Sequence, residues 1–324
     1  MQSRDSYWDQ CRAALMWLVI LGHCIQLLFT NNFFSQPVFK FIYLFHMPLF
    51  MWISGYFALN SIRKHGWKII SNRSFQLLFP IFTLGTVQLL LQLMRGNFTY
   101  HEILSSYKCL WFLWNLFECY LFALIVQLFK NKVWKLFSIF IPVCVSVFTP
   151  ECLPYGDYLS YVWPFFVFGM YCRNLGFTSS FITFKWLLLS PLIIPAFIFF
   201  QSEWYMYLYP LTCTIHALGV WIYRIIVALI AAPVFMAIIK LIPLTYLAKI
   251  GKSTLAIYVI QSIFCTLASR IGIFNNTPSL LLAGILSIVV FILAYYIYIT
   301  SRFIPYVSLF FYGELKRKRP CPAK

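Results

Sequence analysis

The sequence predicts an all-α integral membrane protein of about ten transmembrane helices, with one membrane domain over residues 1–300 and a basic tail over 301–324. Of its 324 residues, 62% are hydrophobic and only 10% are charged, whereas a soluble domain carries about 25% charged residues. Apolar windows of about 17 residues or more recur along the chain, and each is long enough to cross a bilayer. No alternating strand pattern occurs, and helices satisfy their own backbone hydrogen bonds in lipid.

Ten apolar segments are interpreted as spanning helices. The connection at 201–217, between the seventh and eighth segments, can alternatively be a re-entrant element. An even number of spans places both termini on one side of the membrane. The segments are residues 13–29, 38–58, 74–94, 110–129, 133–148, 159–173, 184–200, 218–240, 253–270 and 280–300.

The basic residues orient these spans. The formal net charge is +17, but Lys and Arg lie in short connections rather than in a cluster that fits a phosphate backbone, so no nucleic acid partner is predicted. With both termini cytoplasmic, 20 of the 25 Lys and Arg residues fall on the cytoplasmic side, in agreement with the positive-inside rule. Four acidic residues fall on the opposite side: Glu102, Glu151, Asp157 and Glu203.

Several soluble-enzyme signatures and metal patterns are missing from the sequence. The ten cysteines stand singly, without a CxxC pair or a Cys/His spacing, so no metal site is predicted. No GxSxG elbow, P-loop or dinucleotide-binding fingerprint occurs. These patterns argue against a soluble-type hydrolase and against a nucleotide-binding fold.

Four ionisable residues within predicted spans are candidate functional groups, because a charge in the bilayer is costly and usually faces a protein interior. Arg12 and His23 lie on one face of the first span, eleven residues or about 16 Å apart. His46 on the second span and Glu118 on the fourth reach a similar depth to His23. We expect the two imidazoles and the carboxylate to meet in one pocket. The alternative for each residue is structural: a snorkelling arginine and a buried, hydrogen-bonded histidine.

This constellation suits acyl transfer to a hydroxyl group. An imidazole takes the hydroxyl proton as the nucleophile forms, and a second polar group orients the ring. We therefore predict His23 as the general base or transient acyl acceptor, oriented by His46 or Glu118. Further polar residues can donate hydrogen bonds to the developing oxyanion or to the acceptor: Ser54, Asn115, Gln26 and Gln261.

Five segments in order resemble the membrane-bound acyltransferase-3 family, and the nearest branch looks like the fucose 4-O-acetylase-like proteins. Arg12 to His23 is similar to the Arg-x10-His element that opens the family, and FHMPLFMWISGYF resembles its second-span signature with Ser54 and Gly55. The other segments are WFLWNLF, WPFFVFG and GKSTLAIYVIQ. The last segment departs from the family, because Gln261 stands where a histidine often occurs.

The resemblance implies an acetyl-CoA donor on the cytoplasmic side and an acceptor sugar in a glycan or lipid-linked precursor at a bacterial inner membrane. His23 then matches the presumed catalytic histidine and Arg12 its partner arginine. Arg12, Arg63, Lys64 and Arg73 are the candidate ligands of the donor phosphates, since arginine suits phosphate. The predicted function is O-acetylation of a polysaccharide such as O-antigen or exopolysaccharide.

Two other functions fit the same composition. A transporter or flippase would use the intramembrane Arg, His and Glu as a proton relay or substrate-charge site, but the two halves show no internal similarity of the kind many transporters have. A glycan polymerase would also act on lipid-linked sugars, and we would expect it to carry a larger outer loop.

Overall fold

The computed structural model describes residues 5–30, 32–94, 99, 103, 106–242, 245–271 and 277–314. Glu102 and residues 315–324 of the predicted tail lie outside this part of the chain. Within it the structure is helical without any strand. The helices are α1 (Ser6–Leu28), α2 (Pro37–Tyr43), α3 (His46–His65), α4 (Lys68–Arg73), α5 (Phe79–Leu93), α6 (Trp111–Leu128), α7 (Lys132–Ser138), α8 (Ile141–Phe148), α9 (Gly156–Asn174), α10 (Ser190–Phe199), α11 (Ile215–Leu241), α12 (Thr245–Gly251), α13 (Thr254–Ile271), α14 (Leu280–Ser301) and α15 (Pro305–Tyr312).

The chain is an integral membrane protein with six described helical segments long and apolar enough to cross a bilayer. A seventh is counted if α12 and α13, which are bent by 75° at their junction, form one broken span. The predicted spans 133–148, 159–173 and 184–200 are also largely helical, but they lack the length or hydropathy of the other six. Ten spans with cytoplasmic termini therefore stay a prediction.

Proline residues account for two of the breaks between consecutive helices, those before α8 and α5. Pro142 stands in the first turn of α8, where its missing N–H and its ring prevent the helix of 132–138 from continuing through residue 139. Pro80 acts similarly in the first turn of α5, and residues 74–78 form a π-helical turn just before that helix. Such turns occur frequently at functional sites, and this one follows Arg73 directly.

Two glycines allow α3 and α9 to pack closely. A Cβ atom at Gly55 would lie 1.9 Å from the carbonyl oxygen of Phe166, and one at Gly169 would lie 2.0 Å from that of Trp52. Small residues let helix backbones approach in a membrane, where van der Waals packing drives helix association. The Ser-Gly pair of the second span and the WPFFVFG segment therefore form the two sides of one contact.

Helix α1 lies at the centre of the bundle and packs against α3, α12, α13 and α14. Its N-terminus is capped by Asp5, whose side chain accepts a hydrogen bond from the Tyr7 backbone N–H at 3.1 Å. The end of α12 reaches this turn of α1, because a Cβ atom at Gly251 would lie 1.8 Å from the Asp9 carbonyl oxygen. This contact brings the residues after Gly251 next to Arg12.

Helix α14 shows how the outside of the bundle meets lipid. Its residues 283, 287, 291, 294 and 298 are buried and face α1 and α13. The opposite face is apolar and exposed, with Leu281, Ile285, Ile288, Val289 and Ile292 all more than two-fifths accessible. A helix that is apolar all round and has one exposed face fits a lipid environment.

Candidate active site

A large open cavity of about 480 Å³ lies between α1, α3, α6 and α13. One end is cationic, with Arg12, Arg73 and Lys252 in its wall. The rest of the wall is mainly apolar and aromatic, with single hydroxyl groups. Those other lining residues are Met16, Phe50, Ser54, Phe57, Gln76, Leu77, Phe112, Leu113, Leu116, Tyr120, Gly251, Thr254, Leu255 and Tyr258.

The face of α1 that lines this cavity continues to His23. Arg12 and Met16 are in the wall, and at 3.6 residues per turn His23 lies on the same side of the helix, about 10 Å beyond Met16. His23 is partly buried and is not among the lining residues of the large cavity. The predicted alignment of Arg12 and His23 on one helix face is therefore present in the structure.

Helix α3 presents a similar stripe toward the same region. Phe50, Ser54 and Phe57 line the large cavity, and His46 lies one turn before Phe50 on that face. The Tyr43 ring meets the His46 ring at 4.5 Å and also packs on Gly22, the residue before His23. The structure thus places both predicted imidazoles at the end of the cavity region that is remote from Arg12.

Helix α13 contributes the third stripe. Thr254 and Tyr258 line the cavity, and Gln261 follows Tyr258 by one turn on the same face. Gln261 is only 1% exposed, and its Oε1 lies 3.5 Å from the Cys265 sulfur. Its position toward the imidazole end agrees with the predicted hydrogen-bonding role, which no observation tests directly.

Hydrogen bonds orient both imidazole rings. His46 Nδ1 lies 2.8 Å from the Ile42 carbonyl oxygen, which can only accept, so Nδ1 carries the proton and Nε2 keeps its lone pair when the ring is neutral. His23 Nδ1 lies 2.8 Å from Gln26 Oε1. When that amide oxygen accepts, Nε2 of His23 is likewise the basic nitrogen. Gln26 is therefore the group that orients His23, rather than Glu118.

An aromatic cluster separates the imidazole end of the large cavity from a smaller one. Tyr43 packs on Gly22, where a Cβ atom would lie 3.0 Å from the tyrosine ring. The Tyr43 ring meets the His46 ring edge-on at 4.5 Å and the Tyr207 ring at 5.9 Å. The Trp111 ring lies 5.7 Å from that of Tyr207 and 6.0 Å from that of Phe112, which lines the large cavity beside Tyr258. The two cavities therefore approach each other at His46 and Tyr43.

The smaller cavity has a volume of about 20 Å³, which is room for about one water molecule. Its wall contains a cation that the sequence analysis did not select, Arg224, which is only 5% exposed. Its side chain points into the bundle rather than toward lipid. The lining residues are Tyr43, Leu44, His46, Met47, Tyr161, Phe200, Trp204, Tyr205, Met206, Tyr207 and Arg224.

The cationic end of the large cavity holds two of the four predicted donor ligands. The Arg12 guanidinium forms an ion pair with Asp9 at 3.4 Å and lies 4.5 Å from the Phe57 ring centroid. Arg73 donates a hydrogen bond to Gln76. Both guanidinium groups are in the cavity wall, where they can meet an anionic ligand.

The other two predicted donor ligands lie elsewhere. Arg63 is exposed and donates a hydrogen bond to Asn174 Oδ1 at 2.6 Å, and Lys64 is exposed at the end of α3. Neither residue lines the large cavity. The cation that does so in their place is Lys252, whose signal in the sequence was the GKST tetrapeptide at the start of α13.

Glu118 and Asn115 do not meet the imidazoles in the structure. Asn115 Nδ2 donates to Glu118 Oε2 at 2.7 Å and to the Tyr155 carbonyl oxygen at 3.0 Å. Both side chains are buried, and Glu118 lies on the side of α6 opposite to Phe112 and Leu116, which line the cavity. The expectation of a single pocket with two imidazoles and a carboxylate is therefore only half met.

No group of three or more His, Cys, Asp or Glu side chains suited to a metal ion occurs among the described residues. The chemistry available in this region includes the His23 and His46 imidazoles, the hydroxyl of Ser54 and the three cations of the large cavity. These groups suit the movement of a proton beside a bound anionic cosubstrate.

Comparisons with known proteins point to the same chemistry. The family model described as an acyltransferase domain matches residues 5–299. The chain is 29% identical to the nodulation protein NolL of Mesorhizobium japonicum, over 97% of this chain and 92% of that protein. It is 32% identical to the nodulation protein NolL of Sinorhizobium fredii, over 52% of this chain and 48% of that protein. No solved structure matches the chain.

Proposed function

This chain belongs to the acyltransferase-3 family and is an acyltransferase, and from that premise we propose that it transfers acetyl from acetyl-CoA to a sugar hydroxyl. The acceptor is a cell-surface polysaccharide, such as O-antigen or exopolysaccharide, or its lipid-linked precursor at a bacterial inner membrane. The observation that carries the proposal is that the faces of α1 and α3 that bear His23 and His46 line a cavity whose other end is cationic.

The large cavity fits the donor. Coenzyme A carries phosphate groups at one end and its thioester at the end of an extended pantetheine arm. Arg12, Arg73 and Lys252 bind the phosphates, and the arm follows the α1 face from Arg12 toward His23. The two positions are eleven residues apart, about 16 Å by helical rise, a distance of the order of the extended arm.

The imidazole of His23 acts as general base. Its Nε2 accepts the proton of the sugar hydroxyl while the oxygen attacks the thioester carbonyl carbon, and the carbon–sulfur bond breaks as coenzyme A leaves with a proton. Gln26 holds the ring in the required tautomer, and His46 lies beside it. Ser54 and Gln261 donate hydrogen bonds to the oxyanion that forms on the carbonyl oxygen.

The proposed topology gives each substrate its own side of the membrane. Ten spans with both termini in the cytoplasm place the Arg12 end inside, where acetyl-CoA is available, and the His46 end outward. The charge distribution supports this orientation, because 20 of 25 basic residues then lie inside. The five similar segments support assignment to the fucose 4-O-acetylase-like branch.

The test is acetyl transfer by purified protein with labelled acetyl-CoA and glycan from cells that lack this gene. His23→Ala should lower the rate by about 10²- to 10⁴-fold, the usual loss when a general base is removed. The matched control is His216→Ala, since His216 is exposed and contacts Tyr209 rather than either cavity. Full activity of inserted His23→Ala protein would refute the role, and uptake of unmodified glycan without acetylation would favour a transporter.

A further inference from the structure

Arg224 is a charged residue inside a spanning helix. It lies nine residues after the start of α11, about 14 Å along the helix axis, and the residue is only 5% exposed. A charge at such a depth is costly and in most membrane proteins faces a partner or a functional cavity. Arg224 faces the small cavity that also contains His46.

The Arg224 guanidinium makes few hydrogen bonds to the described part of the protein. Nη1 donates to the Trp204 carbonyl oxygen at a long 3.4 Å, and the group lies 5.4 Å from the Tyr161 ring centroid. Nε is buried without a hydrogen-bond partner. Within the described residues no carboxylate forms an ion pair with it. An arginine presents five N–H donors, so most donors of this group have no protein acceptor among the described residues.

The same cavity contains groups that suit a sugar. Tyr161, Trp204 and Tyr207 are in its wall together with His46, and aromatic rings pack well against the apolar faces of sugar rings. Tyr43, also in this wall, contacts His46 and packs on Gly22, the residue before His23. A sugar held in this cavity would therefore present a hydroxyl to the imidazoles while a second substituent reaches Arg224.

We propose that Arg224 binds an oxyanion of the acceptor, so that the acetylated glycan carries a carboxylate or a phosphate close to the modified hydroxyl. The inference rests on the proposed function and specifies its acceptor class. A guanidinium binds either oxyanion through two parallel hydrogen bonds. The carboxylate would belong to an acidic sugar, and the phosphate to a lipid carrier or a phosphorylated sugar.

The cavity must widen to admit this group, because about 20 Å³ holds only about one oxygen-sized atom. The connection 200–207 supplies five residues of its wall: Phe200, Trp204, Tyr205, Met206 and Tyr207. Apart from a short 3-10 turn at Ser202–Trp204 it has no regular structure. Displacement of the Trp204 carbonyl would free Nη1 for the ligand.

The experiment compares one acceptor in three chemical forms. Surface glycan from cells lacking this gene is used as isolated, after carbodiimide–borohydride reduction of its carboxylates, and after removal of its phosphates. With wild-type protein, one neutralised form should lose about 10- to 100-fold in kcat/KM, the effect of losing a charge-assisted hydrogen bond. Which treatment causes the loss identifies the source of the oxyanion.

Variants of Arg224 test whether that loss of kcat/KM depends on its guanidinium. Arg224→Gln should lower kcat/KM for the native glycan by the same factor, mainly through KM, and should change little on the neutralised form. Arg224→Lys should recover part of the activity and controls for folding. The matched control is Arg173→Gln, since Arg173 also stacks on a tyrosine, Tyr56 at 5.0 Å, but lines neither cavity.

Three results would overturn the inference. Equal activity of wild-type protein on all three glycan forms would exclude an anionic determinant while leaving acetyl transfer in place. An equal loss of Arg224→Gln on every form would show a structural role alone. Failure of wild-type protein to acetylate any form from acetyl-CoA would instead remove the proposed function, and this inference with it.

Discussion

The two cavities differ in size and in how their cations are held. The large cavity of about 480 Å³ is open and has three cations, Arg12, Arg73 and Lys252, in one part of its wall. The small cavity of about 20 Å³ is mostly aromatic and contains one cation, Arg224, that is almost fully buried. One is a wide cationic site close to water, and the other is a narrow site within the bundle.

This difference suggests different ligands for the two regions. Exposed or half-exposed cations tolerate an empty site because water solvates them, and several together suit a multiply charged ligand such as a nucleotide phosphate group. A single buried guanidinium fits one specific anionic group at a fixed position. The imidazoles lie between the regions, where a donor from one side and an acceptor from the other can meet.

Of the three substitutions, that of Arg73 should cause the largest rise in KM for acetyl-CoA. Arg73→Gln removes one phosphate ligand, so KM for acetyl-CoA should rise about 10- to 100-fold while KM for the glycan stays unchanged. Steady-state kinetics with S-acetylpantetheine, which lacks the nucleotide, should show no such loss. An equal loss with both donors would contradict the assignment of the large cavity to the phosphates.

Lys252 should have a smaller effect in the same direction. Its exposed ammonium group borders the large cavity and a second cationic cavity of about 310 Å³ that contains Lys249 and Arg302. Ion pairs of exposed side chains contribute about 1 kcal/mol or less, so Lys252→Gln should raise KM for acetyl-CoA about three- to fivefold. A rise in KM for the glycan instead would contradict the assignment of the large cavity to the donor.

Arg63 should have the smallest effect. Its guanidinium is exposed and bonded to Asn174, outside both cavities, so Arg63→Gln should change KM for acetyl-CoA by less than about twofold. The measurement runs beside Arg73→Gln under the same conditions. Comparable losses in the two variants would mean that general positive charge, rather than the cavity, attracts the donor.

Much of the helical framework could be predicted from apolar segment length. The spans at 110–129, 218–240 and 280–300 agree with α6, α11 and α14 within three residues, whereas α1 begins seven residues before the predicted span 13–29. The interval 133–148 was harder, because a continuous apolar run does not show that Pro142 divides it into two short helices. Hydropathy also treats segments 159–173 and 184–200 as spans, although their helices are less apolar or shorter than the others.

The candidate site, like the fold, could be predicted from the sequence only in part. Arg12 and His23 could be placed on one face because helical periodicity within a single segment is enough. Glu118 could not be placed, because its depth was predictable but the direction in which α6 turns that face was not. Arg224 was missed for the same reason, since a position within a span does not show whether a side chain points to lipid or to a cavity.

The sequence by itself determined that this chain is a helical membrane protein, which helical faces are polar, and that its Arg-x10-His element is typical of acyltransferases. The first two properties depend on composition and on the 3.6-residue period, and the third on the resemblance of five segments to the acyltransferase-3 family. Only the tertiary structure decided which faces meet: Gly55 against α9, Lys252 beside Arg12, and Arg224 beside His46. Contacts between helices depend on side-chain shape and close backbone approach across the whole bundle, which no single segment encodes.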